Sequence, residues 1–132
     1  MAHSYVDFGE RFVRINDQLL TILALVMAEV ARGERYDARL RESVLRWKEQ
    51  TLHAPPGLID IRLDDFAATA DDVASLRALL DEVETAMTTH GEKFPGRLLA
   101  NWAGPTNIGF VDVETDLIRR ELAKWRSLLQ AP

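Results

Sequence analysis

The chain has 132 residues, of which 47% are hydrophobic and 28% charged, with a formal net charge of −5 and no cysteine. That length and mixture fit one domain over 1–132 with a sizeable core. The lack of cysteine excludes disulfides, thiolate catalysis and Cys-ligated metal, and an acidic chain lacks the basic footprint that nucleic-acid binding needs.

The most apolar stretch runs from Tyr5 to Val30. Tyr5, Phe8, Phe12, Ile15, Leu19, Ile22 and Val26 recur at helical spacing, and Val13, Leu20, Leu23, Met27 and Val30 form a second row beside them. Two adjacent rows predict one long core helix over 5–32, wrapped by the rest of the chain and buried at Leu19, Ile22, Leu23 and Val26. The uncharged run Leu19–Ala28 falls short of the ~20 residues of a membrane span. Arg11, Arg14 and Asp17 would be costly in lipid, so no membrane partner is expected. No secretory-signal pattern is read, and a cytoplasmic site is the expectation. Gly33 suits the left-handed cap of this helix.

A second helix is predicted over 38–53, capped by Asp37, with Leu40, Val44 and Trp47 inward, Leu45 and Leu52 beside them, and Pro55-Pro56-Gly57 as its stop. In residues 58–63, Ile59, Ile61 and Leu63 alternate with Asp60 and Arg62, which reads as a strand or an extended segment laid over the core. A third helix over 70–90 opens on Thr69 and Asp72, a capping-box pair, turns Val73, Leu76, Leu80, Val83 and Met87 inward, and stops at Gly91. Residues 97–111 read as a small hairpin or as a short helix followed by a loop. The last helix, 112–130, takes Asp112 as cap and Val113, Leu117, Ile118, Leu122, Trp125 and Leu129 as its inward row. The expected fold is mainly α: a four-helix bundle-like domain around a long N-terminal core helix, with a hairpin or extended segments at 58–63 and 97–111.

No catalytic constellation emerges. His3, His53 and His90 lack ligand spacing, and the glycines of Trp102–Gly109 do not make a phosphate loop. Ser4, Ser43, Ser75 and Ser127 lack a nucleophile elbow, and the acidic run lacks the EF-hand pattern. No catalytic residue, metal or cofactor is therefore expected. Arg32, Arg35, Arg39 and Arg41 are interleaved with Glu34, Asp37 and Glu42, which reads as a salt-bridged corner. Charge is polarised: residues 54–92 hold nine acidic side chains against Arg62 and Arg77. With the third helix turned to the core, Asp71, Asp72 and Glu82 point to solvent, Asp81 flanks them, and Asp64 and Asp65 lie just upstream. Such a patch steers a basic partner. Trp102, beside a Gly/Pro loop that includes Asn107, can anchor one. The candidate partner-binding residues are thus Asp64, Asp65, Asp71, Asp72, Asp81, Glu82, Trp102 and Asn107.

In its small size, acidic middle (Asp60 through Asp72, Asp81, Glu82 and Glu84) and lack of a catalytic motif, the chain is similar to immunity proteins of bacterial toxin–immunity pairs. The resemblance implies a non-catalytic inhibitor that binds and neutralises a basic bacterial toxin domain in trans. Two other readings stand beside it. One is a small-molecule-binding or enzymatic helical domain using the 97–111 loop. The other is a self-associating structural protein, a homodimer in which a second copy covers the apolar stripe.

Overall fold

Between Phe8 and Arg11 the chain reverses. The computed structural model describes residues 2–130 and begins with strands β1 (His3–Phe8) and β2 (Arg11–Asn16), joined by the two-residue loop Gly9-Glu10. Gly9 has φ +63° while Glu10 keeps a negative φ. This is the pattern of a type II′ turn, whose twist suits a hairpin. Val6 pairs with Val13, and Tyr5 with Arg14. With a period of two, Ser4, Val6, Phe8, Val13 and Ile15 turn inward, and Tyr5, Asp7, Phe12 and Arg14 turn outward.

The helix expected over 5–32 is therefore corrected. Only α1, Asp17–Val30, is helical. Asn16 ends the hairpin and caps α1, its side-chain oxygen accepting the Leu19 N–H at 3.2 Å. Every residue from Leu20 to Ala28 is buried, whereas Leu19 is only half-buried. Gly33 does not take the left-handed conformation; α1 ends at Ala31, which stays right-handed.

Helix α2, Ala38–His53, matches its expected bounds, and Asp37 caps it by accepting the Leu40 N–H at 2.8 Å. Leu40, Val44 and Trp47 are buried, but Leu45 points out of the core. The alternation of 58–63 becomes β3, Asp60–Arg62, which pairs parallel to β1 with Ile61 opposite Val6. The sheet order is β2-β1-β3. Buried Ser4 fastens its start, accepting the Ile59 N–H on its hydroxyl at 3.2 Å. A single 3-10 turn, Leu63–Asp65, leads to α3, Ala70–Thr89, which opens on the expected Thr69/Asp72 capping box.

In the segment 97–111 the helix-then-loop alternative is the one adopted. Helix α4, Gly96–Ala103, lies between β4 (Lys93–Phe94) and β5 (Val113–Glu114), which pair antiparallel. The last helix, α5, starts later than expected, at Thr115, and runs to Leu128 with Glu114 at the cap position. Asp112 is not its cap; its carboxylate accepts the Gly96 N–H at 2.8 Å. There the two backbones touch: a Cβ on Gly96 would stand 2.5 Å from the Val111 carbonyl carbon.

The fold is α+β: among the described residues a three-stranded mixed sheet and a two-stranded ribbon lie beside five helices. The expected four-helix bundle is overturned by the hairpin, which takes the place of the first turns of the predicted core helix. Helices α2, α3, α4 and α5 and strand β2 all contact α1. Arg11 of β2 donates to the Leu128 and Gln130 carbonyls and Arg77 of α3 to that of Leu129, so two cations hold the C-terminal end of α5, where the helix dipole is negative. Among the described residues no helix is long and apolar enough to cross a membrane.

Two substitutions test this packing by chemical denaturation. Leu23→Ala, in the fully buried part of α1, is expected to cost about 2–5 kcal/mol. Gly96→Ala is expected to cost about 1–3 kcal/mol through overpacking. Gly33→Ala, where an added Cβ meets nothing within 4 Å, should stay near wild type. Equal effects of the two glycine changes would refute the close approach at Gly96.

Candidate functional site

The candidate site lies on the three-stranded sheet. The inner face, with Val6, Ile15 and Ile61, belongs to the core. The outer face carries Tyr5 and Asp7 of β1, Phe12 and Arg14 of β2, and Asp60 and Arg62 of β3. A one-sided sheet normally shows polar side chains to water. Here Tyr5 is 41%, Phe12 62% and the neighbouring Leu58 67% exposed. The Tyr5 and Phe12 rings meet edge to face at 5.5 Å, a diagonal cross-strand pair of the kind that stiffens a sheet surface. These residues line a shallow depression of about 630 Å³ with Asp7, Asp60 and Arg62.

Asp7 sits in the middle strand of that face. Partial burial, and then the adjacent Asp60 carboxylate, push its pKa from 3.8 up to about 6; Arg62, with Nε at 3.9 Å, opposes the shift and Asp64 adds to it. Two carboxylates this close disfavour double ionisation. Asp64 reaches the face from the 3-10 turn, accepting the Gly9 N–H at 2.8 Å. That bond sets Asp64, with exposed Asp65 next in sequence, beside the hairpin turn and its exposed Glu10.

The other acidic candidates go elsewhere. Asp72 closes the capping box and pairs with Arg39 at 2.6 Å. The N–H groups of Ala68 and Thr69, with Arg39, hold its carboxyl below the usual range. Glu82 pairs with Arg35, and Asp81 and Glu84 share Arg126, with Arg119 also at Glu84. Arg35 and Arg39 belong to the corner that the sequence reads as locally paired; their partners are the carboxylates of α3 instead. Asp71 is exposed, and no ion pair to it is found among the described residues. Trp102 is half-buried and packs on Phe94 at 5.7 Å, while Asn107 is exposed in the loop after α4. The structure thus brings Asp64 and Asp65 to one surface, pairs Asp72, Asp81 and Glu82 with arginines, and leaves Trp102 and Asn107 on a separate segment.

Tyr5, Phe12 and Leu58 were missed as surface residues because a helical reading places Tyr5 and Phe12 in the core. The available signal was Gly9 between two runs of alternating residues. Among the described residues no group of three or more His, Asp or Glu could hold a metal ion.

Asp7 links the stability of the fold to pH. Its folded pKa lies above the unfolded value, so the stability it contributes is fully present below about pH 4 and is lost as pH rises through about 6. Asp7→Asn should therefore be more stable than wild type at pH 8, and the gain should shrink to nothing by pH 4. Urea melts across that range measure it, and a pH-independent difference would refute the assignment. Comparison of the chain with protein-family models, with curated proteins and with solved structures found no match.

Proposed function

We propose that the chain is a non-catalytic binding protein, and that the open face of its three-stranded sheet takes a basic protein partner. The observation that carries this reading is the set of exposed apolar side chains, Tyr5, Phe12 and Leu58, on a face whose hairpin end holds Glu10, Asp64 and Asp65. Aromatic anchors in a patch rimmed by charge are the usual energetic centre of an interface, and surplus carboxylates favour a cationic partner and speed its docking. An inhibitor that neutralises a basic bacterial toxin domain in the cytoplasm fits that description. Asp72, Asp81 and Glu82 are engaged by arginines, which supports a contact surface at the sheet rather than along α3.

The test uses tagged wild type and a Tyr5→Ala/Phe12→Ala variant as baits in extracts of the native host. The outward position of both side chains leaves the fold intact, as thermal melting would verify. Wild type should retain a basic protein whose expression alone arrests growth, with growth restored by co-expressed wild type. The variant should bind it about tenfold or more weakly and fail to protect. Undiminished binding and protection by the variant would remove the sheet face from the interface. Capture of the chain's own second copy alone would replace the reading with self-association.

A further inference from the structure

A second depression, about 490 Å³ in volume, lies between the first turns of α1, the end of α2 and the loop after α4. Its size falls within the range of small-molecule sites. Its walls are apolar, with Leu52, Ile59, Ile108 and Phe110 among them, and its polar lining includes Asp17, Thr21 and Thr51. These three groups are biased towards accepting. Thr21 donates its hydroxyl proton to the Asp17 carbonyl at 3.0 Å, and Thr51 donates its own to the Lys48 carbonyl at 2.8 Å. What they have left is lone pairs.

The Asp17 carboxylate is only half used. Its Oδ2 accepts the Gly57 N–H at 2.7 Å, and its Oδ1 is buried with no hydrogen-bond partner among the described residues. An unpaired buried carboxylate oxygen is costly unless something donates to it. Among the described residues no Lys, Arg or His lines the depression. The amides of Asn16 and Gln18 stand nearby, and the Asn16 oxygen is already committed to capping α1. Ile108, an apolar side chain still 37% exposed, borders the opening.

We propose that this cavity binds a small primary or secondary amine with an apolar body, its ammonium group at the Asp17 carboxylate and its hydrocarbon against Leu52, Ile59 and Phe110. A charge-assisted hydrogen bond in a partly dry site supplies orientation, and the apolar walls supply the area. Among the described residues the cavity shares only Ile59 with the depression on the sheet face, and its test does not use that face, so neither proposal falls with the other.

The experiment is titration calorimetry with hexylamine and phenethylamine, set against hexanol, 2-phenylethanol and hexanoate as probes of the same shape but different charge. Both amines should bind at one site, about tenfold or more tighter than the alcohols, with hexanoate weaker still. Asp17→Asn keeps an oxygen for the Gly57 N–H and should lower amine affinity about tenfold while leaving the alcohols unchanged. Ile108→Lys, at an exposed border position whose change spares the core, places a competing cation at the opening and should weaken the amines but not the alcohols. Amide shifts on binding should map to Thr21, Leu52 and Gly109. Equal affinity for amines and alcohols, an unchanged amine affinity in folded Asp17→Asn or in Ile108→Lys, or shifts confined to the sheet face would each overturn the proposal.

Discussion

The rest of the structure depends on covering α1. A helix with one apolar stripe needs a neighbour on one side, but α1 is buried at every position from Leu20 to Ala28. Such a helix is stable only when enclosed, and the chain spends most of its elements on doing so. Helix α2 returns along it, α3 and α5 pack on it and on each other, and α4 joins them. The sheet closes part of the remaining surface through its inner face, where Val6, Ile15 and Ile61 are fully buried. Since the helices are committed to α1, no helix among the described residues covers the far side of the sheet, where Tyr5 and Phe12 are exposed. The exposed Tyr5–Phe12 pair follows from that division of labour.

The same packing redistributes charge. The acidic segment 54–92 is isolated in sequence but not in space. Helix α3 runs between the corner that holds Arg35 and Arg39 and the helix that holds Arg119 and Arg126. Exposed ion pairs of this sort add little stability singly. Their larger effect is to cancel much of the field along α3, since opposite charges at contact distance present little net charge to a partner. While Asp71 stays exposed at the start of α3, Asp64 and Asp65, without an ion pair among the described residues, lie at the hairpin end of the sheet. Asp64 is part of the architecture there as well, because its bond to the Gly9 N–H ties the hairpin turn to the 3-10 turn.

The two proposed surfaces meet at one short segment. Gly57 and Leu58 border the open sheet face, Pro56 borders the cavity, and Ile59 lines both. That segment is fixed at each side. Asp17 holds the Gly57 N–H, and Ser4 holds that of Ile59. Backbone groups buried in this way require partners, and here the partners come from the start of α1 and from β1, so the segment is positioned by the same elements that border the two proposed sites.

Local chemistry by itself determined α2 and α3. Their caps, Asp37 and the Thr69/Asp72 box, are side-chain-to-backbone bonds over three residues, and their apolar rows repeat within one turn. The buried part of α1 and the alternation of Ile59, Ile61 and Leu63 were legible for the same reason. Residues 5–16 were not. Tyr5, Phe8, Phe12 and Ile15 satisfy a helical spacing, while Ser4, Val6 and Phe8 with Val13 and Ile15 satisfy a strand period that keeps Phe8 and Ile15 inward but turns Tyr5 and Phe12 outward. A segment that fits both periods is decided by what it pairs with, and β1 pairs with β3 across some fifty intervening residues. Ion pairs such as Arg35–Glu82 and Arg126–Asp81 likewise join segments more than forty residues apart. Only tertiary structure decided which aromatics face water and which carboxylates remain unpaired, because strand pairing and ion pairing depend on distances in space that sequence separation does not set.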